Sequence, residues 1–330
     1  MRDPPLPTLS PSRWGRGSLP SPFTLHPSLK LMLPHHNRYD YSPITERKDY
    51  SWPGGKRLAF CLTTNLSVHA FMQGRGHDNA KHDEPQSPRN YSWRDYGNRI
   101  GIWRLFDLAD ELGLPLAHNT NSLLYGEAPQ IFARIRSRGD EIIAHGRTNA
   151  ENFNDFRWEA DEARLIREVT ETFTRNEGKP PKGWLSGGSY EHAWTPDVLK
   201  EAGYIYLSDW PCDDQPMWLR TRAGPILSVP YPVELNDSPQ IIHRQHTARE
   251  FCDMLVDQFE EMVEQSAHHP LVCNISIHPH VFGYPFRLRP LRKALQHCFA
   301  SKFIDRLWKC RPGEVADYCQ TLAPGIIPGS

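Results

Sequence analysis

From Arg57 to Ala300 the chain keeps alternating short apolar runs with stretches of helical periodicity, and that alternation narrows the fold more than any other feature. Two parallel strands need a long crossover between them, and an amphipathic helix laid on the sheet is the usual one. Seven runs qualify as strands: 57–65, 116–121, 141–145, 183–186, 204–209, 226–231 and 271–278. Helical periods fall between them. In 98–112, residues Ile100, Trp103, Leu105, Phe106, Leu108 and Leu112 share a face and Gly113 stops the helix. Others cover 129–138 (closed by Gly139), 159–176, a segment opened by Thr195-Pro196 and ending at Gly203, 247–267 and 288–300. Polar residues gather at the ends of the apolar runs and no Gly-x-Gly-x-x-Gly turn occurs, so the pattern predicts an α/β fold of the βα-barrel type, closed or incomplete, rather than an open doubly wound sheet.

Barrels of parallel strands collect their chemistry at the strand C-termini. Two of the runs end on histidine, Asp140-Glu-Ile-Ile-Ala-His145 and Cys273-Asn-Ile-Ser-Ile-His278. The other mouths carry Asn65 and Ser67, Asn119 and Asn121, Ser186, Asp209, and Tyr231 with Glu234. Two imidazoles, one or two carboxyls and a set of neutral hydrogen-bonding groups suit hydrolysis of a polar, carbonyl-bearing small molecule, with an imidazole moving the water proton. His278 is the expected general base and then acid, His145 the group that polarises the carbonyl or positions water, and Asp209 the orienter of an imidazole. Asn65, Ser67, Trp184, Trp210, Asp213, Asp214, Glu234 and Asn236 are the expected substrate contacts. No Gly-x-Ser-x-Gly nucleophile motif is present.

A formal net charge of −1 leaves no electrostatic footprint for nucleic acid or an anionic membrane, and no apolar run approaches the roughly 20 residues that span a bilayer. A small-molecule partner is expected, with self-association into a homo-oligomer open. Seven cysteines, none in a Cys-x-x-Cys pair, fit a reducing, cytoplasmic setting better than a disulfide framework. Residues 1–37 are rich in proline and serine without periodicity and are expected to be a disordered extension, with Met32 a candidate natural start. A single catalytic domain, 38–320, and a tail, 321–330, follow. Residues 72–92 form a long polar insertion after the first strand, on the side where a lid would lie.

The motifs His145-Gly-Arg-Thr-Asn149, Gly183-Trp-Leu, Leu207-Ser-Asp-Trp210, Val229-Pro-Tyr231 with Asn236-Asp237, and Ile277-His-Pro-His-Val-Phe-Gly-Tyr-Pro285 occur in the order of the polysaccharide deacetylase (NodB-homology) superfamily, which the chain resembles over roughly 38–312. Trp52-Pro-Gly-Gly-Lys-Arg57 and Tyr96-Gly-Asn-Arg-Ile-Gly-Ile-Trp-Arg104 are similar to the branch of allantoinases and cyclic-imide hydrolases. The resemblance implies a distorted (β/α)7 barrel that hydrolyses a non-peptide carbon–nitrogen bond. Where metal-dependent deacetylases carry an aspartate pair this chain has Thr63-Thr-Asn-Leu-Ser67, and Asn149 stands in place of the second histidine of a His-x-x-x-His motif. No cofactor and no resident metal are therefore expected. A weakly held divalent ion such as zinc, on His145 with His278, is the alternative. The nearest branch carries a glutamate near Ser67. Two further readings follow from these departures: a metal-dependent carbohydrate N-deacetylase with displaced ligands, acting on chitooligosaccharide-like material, or a degenerate member that binds without turnover.

Overall fold

Leu58–Leu66 (β1) is nine residues long and buried at every position, as a strand covered on both faces must be. Its side chains alternate. Leu58, Phe60 and Leu62 pack outward among the helices, whereas Ala59 and Cys61 belong to a second, inner cluster. Thr63 and Asn65 continue the inward parity, hydrogen bonding to Asn274 and Ser276 on the strand paired beside it. This period of two is what aims Asn65 at the barrel mouth.

The computed structural model describes residues 35–72, 87–151, 158–189 and 191–329. The chain separates into Met1–His36, of which only His35 and His36 are described, and Asn37–Ser330. In the larger unit β1 is followed by Leu116–Thr120 (β2), Glu141–Ala144 (β3), Gly183–Trp184 (β4), Tyr206–Leu207 (β5), Met217–Leu219 (β6), Ile226–Ser228 (β7), Leu271–Ile277 (β8) and Leu307–Lys309 (β9). The sheet runs β6-β7-β5-β4-β3-β2-β1-β8, with β9 beside the start of β1. The pairs β1–β2, β2–β3, β3–β4, β4–β5, β5–β7 and β1–β8 are all parallel, which makes seven barrel strands. Between β7 and β8 the ladder gives way to single hydrogen bonds: Val272 N–H to Asp214 C=O at 2.9 Å, Asn274 Nδ2 to Pro230 C=O at 3.0 Å and Ser276 N–H to Leu235 C=O at 3.0 Å. The result is the distorted (β/α)7 barrel expected.

Helices sheathe this sheet. Ala248–Gln265 begins with a capping box, in which Thr247 Oγ1 accepts from Glu250 N–H and Glu250 accepts from Thr247 N–H, and buries Phe251, Leu255, Phe259 and Val263. Trp52, Val315 and Cys319 belong to the inner cluster with Ala59 at the start of β1, so the barrel is plugged at its N-terminal end and the other end is left for a site. Pro88–Tyr96 runs through a π-helical turn, Gly97–Gly101, into Ile102–Glu111. The turn lies directly against Pro279–Gly283: a Cβ on Gly101 would stand 2.1 Å from the Pro279 carbonyl oxygen, and one on Gly283 2.2 Å from Gly101 Cα. Only glycine permits that backbone contact, which fixes the segment after β8.

All seven strand runs are present, some shorter than the apolar runs that announced them. The structure adds β6, β9, Pro88–Tyr96 and Pro312–Cys319, none of which the periodicity indicated. Residues 88–92 are therefore helical rather than part of a loop, and the lid proposed for 72–92 otherwise rests on 73–86, outside the described residues. The disorder of the amino-terminal extension and the Met32 start fall on 1–34, also outside them. Thr195 is not an N-cap. It stands at the first helical position, and its hydroxyl bonds Glu162. Within 321–330, Ile327 is buried and Pro328 C=O accepts from Trp218 N–H at 2.8 Å, so this tail is packed against β6. Among the described residues no helix is long and apolar enough to cross a membrane.

Candidate active site

A cavity of about 650 Å³ opens at the C-terminal ends of the barrel strands, lined by Asn65, His145, Asp209, Tyr231 and His278 among others. The two histidines at strand ends thus share one chamber although 133 positions separate them in sequence. A depression of about 550 Å³ at the opposite ends of β3 and β4, around Lys182, Arg311 and Asp317, has no imidazole in its wall.

His278 follows the last residue of β8. Its Nδ1 lies 2.6 Å from Oδ1 of Asp237, and its backbone N–H donates to Oδ2 of the same carboxylate at 2.8 Å. Asp237 is fully buried and precedes the π-helical segment Ser238–His243. A carboxylate only accepts, so Nδ1 carries the proton and the neutral ring keeps a lone pair on Nε2. The ring is partly exposed, so that lone pair is available to the chamber.

His145 has the same tautomer for a different reason. Its Nδ1 is 2.8 Å from the Leu185 carbonyl, which can only accept, leaving Nε2 as the acceptor. Burial lowers its pKa to about 4, with the Leu185 hydrogen bond opposing and the neighbouring His278 reinforcing the shift. His145 is thus neutral at physiological pH. A neutral imidazole presenting Nε2 as a lone pair accepts a hydrogen bond and does not donate one, so positioning water fits it and polarising a carbonyl does not.

Around the pair lies a neutral network. Asn65 Oδ1 accepts from Asn119 Nδ2 at 3.0 Å and from the Tyr231 hydroxyl at 3.3 Å, while Asn149 Nδ2 donates to Ser67 Oγ at 2.8 Å. On one wall Arg94 Nη1 is 3.0 Å from His69 Nδ1, and the His280 ring stands 5.4 Å from that of His278, edge to face. Burial, with Arg94 and the other imidazoles, holds His69 well below the usual histidine range. Burial, then His278 and Arg94, does the same for His280.

Asp209 lines the chamber but does not orient an imidazole. Its carboxyl accepts from Ser186 N–H at 2.8 Å and Ser186 Oγ at 3.3 Å. Burial raises its pKa to about 7 against those hydrogen bonds, and Glu162 adds to the rise. The carboxylate behind His278 is Asp237, which reads in the sequence as part of an Asn-Asp-Ser-Pro turn.

Asn65, Ser67 and Asn236 line the chamber. The other expected substrate contacts do not. Trp184 is buried in the outer core, its Nε1 given to Ser186 Oγ, because β4 turns it toward the helices. Trp210 packs beside the same core, edge to face with Tyr39. Asp213 pairs with Arg47 at 2.6 Å, and the Asp214 carbonyl serves β8 near its first residue, so both lie toward the plugged end. Glu234 is exposed and paired with Arg244. His69, Arg94, His243 and His280 line the chamber without having been singled out. For His69 a signal existed, because the inward parity of Thr63 and Asn65 in β1, carried past the strand's end, runs through Ser67 to His69.

No family model matches the chain. It is 23% identical over 219 residues, 62% of its length and 68% of the relative's, to a candidate polysaccharide deacetylase of Schizosaccharomyces pombe. Among solved structures, a probable polysaccharide deacetylase of Pseudomonas aeruginosa PAO1 superposes with a TM-score of 0.72 at 24% identity, covering 83% of this chain and 94% of that one. The PuuE allantoinase superposes with a TM-score of 0.73 at 22% identity, covering 86% and 99%. Both likenesses are of fold and cover most of each chain.

Proposed function

Starting from the polysaccharide deacetylase fold that this chain shares with the PuuE allantoinase, we propose that it hydrolyses a non-peptide carbon–nitrogen bond (amide, ureide or cyclic imide) in a small polar molecule. The observation that carries the reading is the Asp237–His278 pair at the floor of a small-molecule-sized chamber.

In this mechanism Nε2 of His278 takes a proton from water as its oxygen attacks the carbonyl carbon. The buried carboxylate of Asp237 holds the ring and offsets the charge it gains. The same proton then passes to the nitrogen as the carbon–nitrogen bond breaks. His145 Nε2 accepts the second water hydrogen and so aims the oxygen. Asn65, Ser67 and Asn149 bind the polar periphery.

The resemblance to metal-dependent deacetylases raises the question of a metal, and the donor set does not fit one. Among the described residues no three histidine, cysteine, aspartate or glutamate side chains converge as ligands, and Ser67 and Asn149, where the resemblance implies an acid and a second histidine, are hydrogen-bonded to each other. A catalytic zinc generally takes three protein ligands. No step is routed through a metal.

The test is ammonia or amine release from a panel of allantoin, dihydropyrimidines, succinimide and acetylated chitooligosaccharides, with and without chelator. Turnover of a small cyclic or linear amide that survives chelation is expected. Chelator-sensitive turnover of the chitooligosaccharides alone would replace this reading with carbohydrate deacetylation, which the names of the S. pombe and P. aeruginosa relatives favour.

A further inference from the structure

When a water oxygen adds to a carbonyl carbon, negative charge collects on the carbonyl oxygen, and a hydrogen-bond donor is needed there. Several donors of the chamber are spent on the protein itself. Nδ1–H of His145 and of His278 goes to Leu185 and Asp237, and Asn65 Nδ2 gives its hydrogens to Ser276 Oγ and the Ile277 carbonyl. The end of β5 differs. Tyr206 belongs to the inner cluster and Leu207 to the outer one, so the period of two turns Ser208 inward at the barrel mouth. Ser208 is 3% exposed and lines the chamber, and its Oγ has no hydrogen-bond partner among the described residues. The Asp209 carboxyl lines the chamber beside it, held by Ser186 N–H and Ser186 Oγ, with no cation contributing to its environment. Two further acids share its surroundings. Glu162 accepts from Trp194 Nε1 at 2.7 Å and Thr195 Oγ1 at 2.5 Å, and Glu191 has a buried Oε2 without a partner among the described residues. Burial, with Asp209 adding to it, raises the Glu191 pKa to about 9, as burial and Glu162 raise that of Asp209 to about 7. Arg38, which offsets Glu191, is paired with Asp197 at 2.5 Å. Carboxyls crowded together out of water without a cation are neutralised by protons. In the arc β3-β4-β5-β7-β8, β5 stands midway between the strands that lead to His145 and His278.

We infer that Ser208 and Asp209 form the oxyanion subsite, receiving the oxygen of the substrate carbonyl whose carbon is attacked at His278. The reaction step rests on the hydrolase reading above, but the docking of a carbonyl oxygen on these two residues does not. The Ser208 hydroxyl can turn its hydrogen to the ligand without giving up a contact in the protein. Asp209 donates its O–H in the acid form, as an aspartic acid kept neutral by its surroundings can. As water adds, the electron pair of the carbonyl bond moves onto the oxygen between the two donors. It returns when the nitrogen leaves with the proton from His278, and Asp209 keeps its own proton throughout. An uncharged donor pair suits the oxygen of a neutral amide, ureide or imide. The acid form is lost as pH rises through about 7, so this group gives the rate an alkaline decline. The groups that bear on this titration are Glu162, Glu191 and the Tyr231 phenol, with His145, His243 and His278 in the chamber and His69, Arg94 and His280 on its remaining wall.

Two readouts separate the subsite from the reaction. In the first, the full chain carrying His278→Ala, so that ligand is not consumed, is saturated with succinimide or allantoin bearing isotopically labelled carbonyls. Difference infrared spectroscopy should show one labelled carbonyl band at lower frequency than in water. The band should move back toward its position in water when Ser208→Ala or Asp209→Ala is added, and when pH is raised through about 7. In the second, kcat for the best substrate of the panel is followed against pH. Ser208→Ala and Asp209→Ala should each lower kcat about 10²-fold while KM moves by less than about threefold. Ser208→Ala should keep the wild-type melting temperature, because its hydroxyl has no contact to lose. Asp209→Asn, whose amide still donates, should lose less rate than Asp209→Ala and should lose the alkaline decline. An unshifted band, a shift indifferent to both variants, or failure of both ligands to bind would overturn the proposal. So would rates in Ser208→Ala and Asp209→Ala within about threefold of wild type. An alkaline decline that persists unchanged in Asp209→Asn would overturn the assignment of Asp209. If the band shift depends on both residues but the wild type hydrolyses no member of the panel, the subsite stands and the hydrolase reading falls.

Discussion

Replacing Asp237 by asparagine changes one charge and one atom type at a fully buried position, and the geometry dictates what must follow. Both carboxylate oxygens accept, one from His278 Nδ1 at 2.6 Å and one from His278 N–H at 2.8 Å. An amide has a single acceptor oxygen. If that oxygen faces the backbone N–H, the amide NH2 faces Nδ1, the ring must take the opposite tautomer, and Nε2 becomes protonated and useless as a base. If instead it faces Nδ1, two donors confront each other away from water, at a cost of about 1–3 kcal/mol. The first arrangement removes general-base chemistry worth roughly 10²–10⁴ in rate, or about 3–5 kcal/mol of barrier. The assay is steady-state hydrolysis of the best substrate from the panel. Asp237→Asn should lower kcat by that factor while KM moves by less than about threefold, because Asp237 touches His278 rather than substrate. A variant within about threefold of wild-type kcat would refute the assignment of His278 as base.

Further outcomes follow from the same geometry. His145 has a folded pKa of about 4 against an unfolded value of about 6.5, so below pH 6.5 the unfolded state binds the extra proton and stability is lost progressively down to about pH 4. By that linkage roughly 2 kcal/mol should be gone at about pH 5; urea unfolding should show His145→Asn losing less stability than wild type between about pH 7 and pH 5, and equal losses would contradict the buried neutral ring. Gly101→Ala would drive a methyl to 2.1 Å from the Pro279 carbonyl oxygen, so the melting temperature should fall by an amount equivalent to about 1–3 kcal/mol and kcat should fall with it. An unchanged melting temperature would mean that the two segments are not in contact. Glu234→Gln, at an exposed side chain outside the chamber, should leave kcat and KM within error of wild type.

The barrel was legible because a strand covered on both faces opens as a near-continuous apolar run, and β1 and β8 announce themselves that way at Leu58–Leu62 and Leu271–Cys273 before polar residues enter toward the mouth. Gly139 at φ 69° and the Thr247–Glu250 capping box are local stop and start signals that work without tertiary help. By contrast β6 and β9 are three residues long, too short for any period, and exist because β7 and β1 offer them an edge. The site was legible where a histidine ends a long strand. It was opaque where the partner arrives from a loop: Asp237 lies 41 positions before His278, inside a segment where Asn236 does form a turn with Ser238 N–H, so local chemistry and remote role coincide. Asp213 and Asp214 show the converse error, since acids close in sequence to a strand mouth return with the chain to the plugged end. In a strand as short as β4, the parity that would separate an outward Trp184 from an inward Leu185 cannot be read.

The most direct measurement is amine or ammonia release from the amide, ureide and imide panel by wild type and by His278→Ala, each verified as folded by its melting transition. Turnover of at least one small substrate by the wild type, lowered about 10²-fold or more in the variant, is the expected result. Wild-type rates in His278→Ala, or no release from any member of the panel by the wild type, would contradict the claim that the Asp237–His278 pair activates water at a carbonyl carbon.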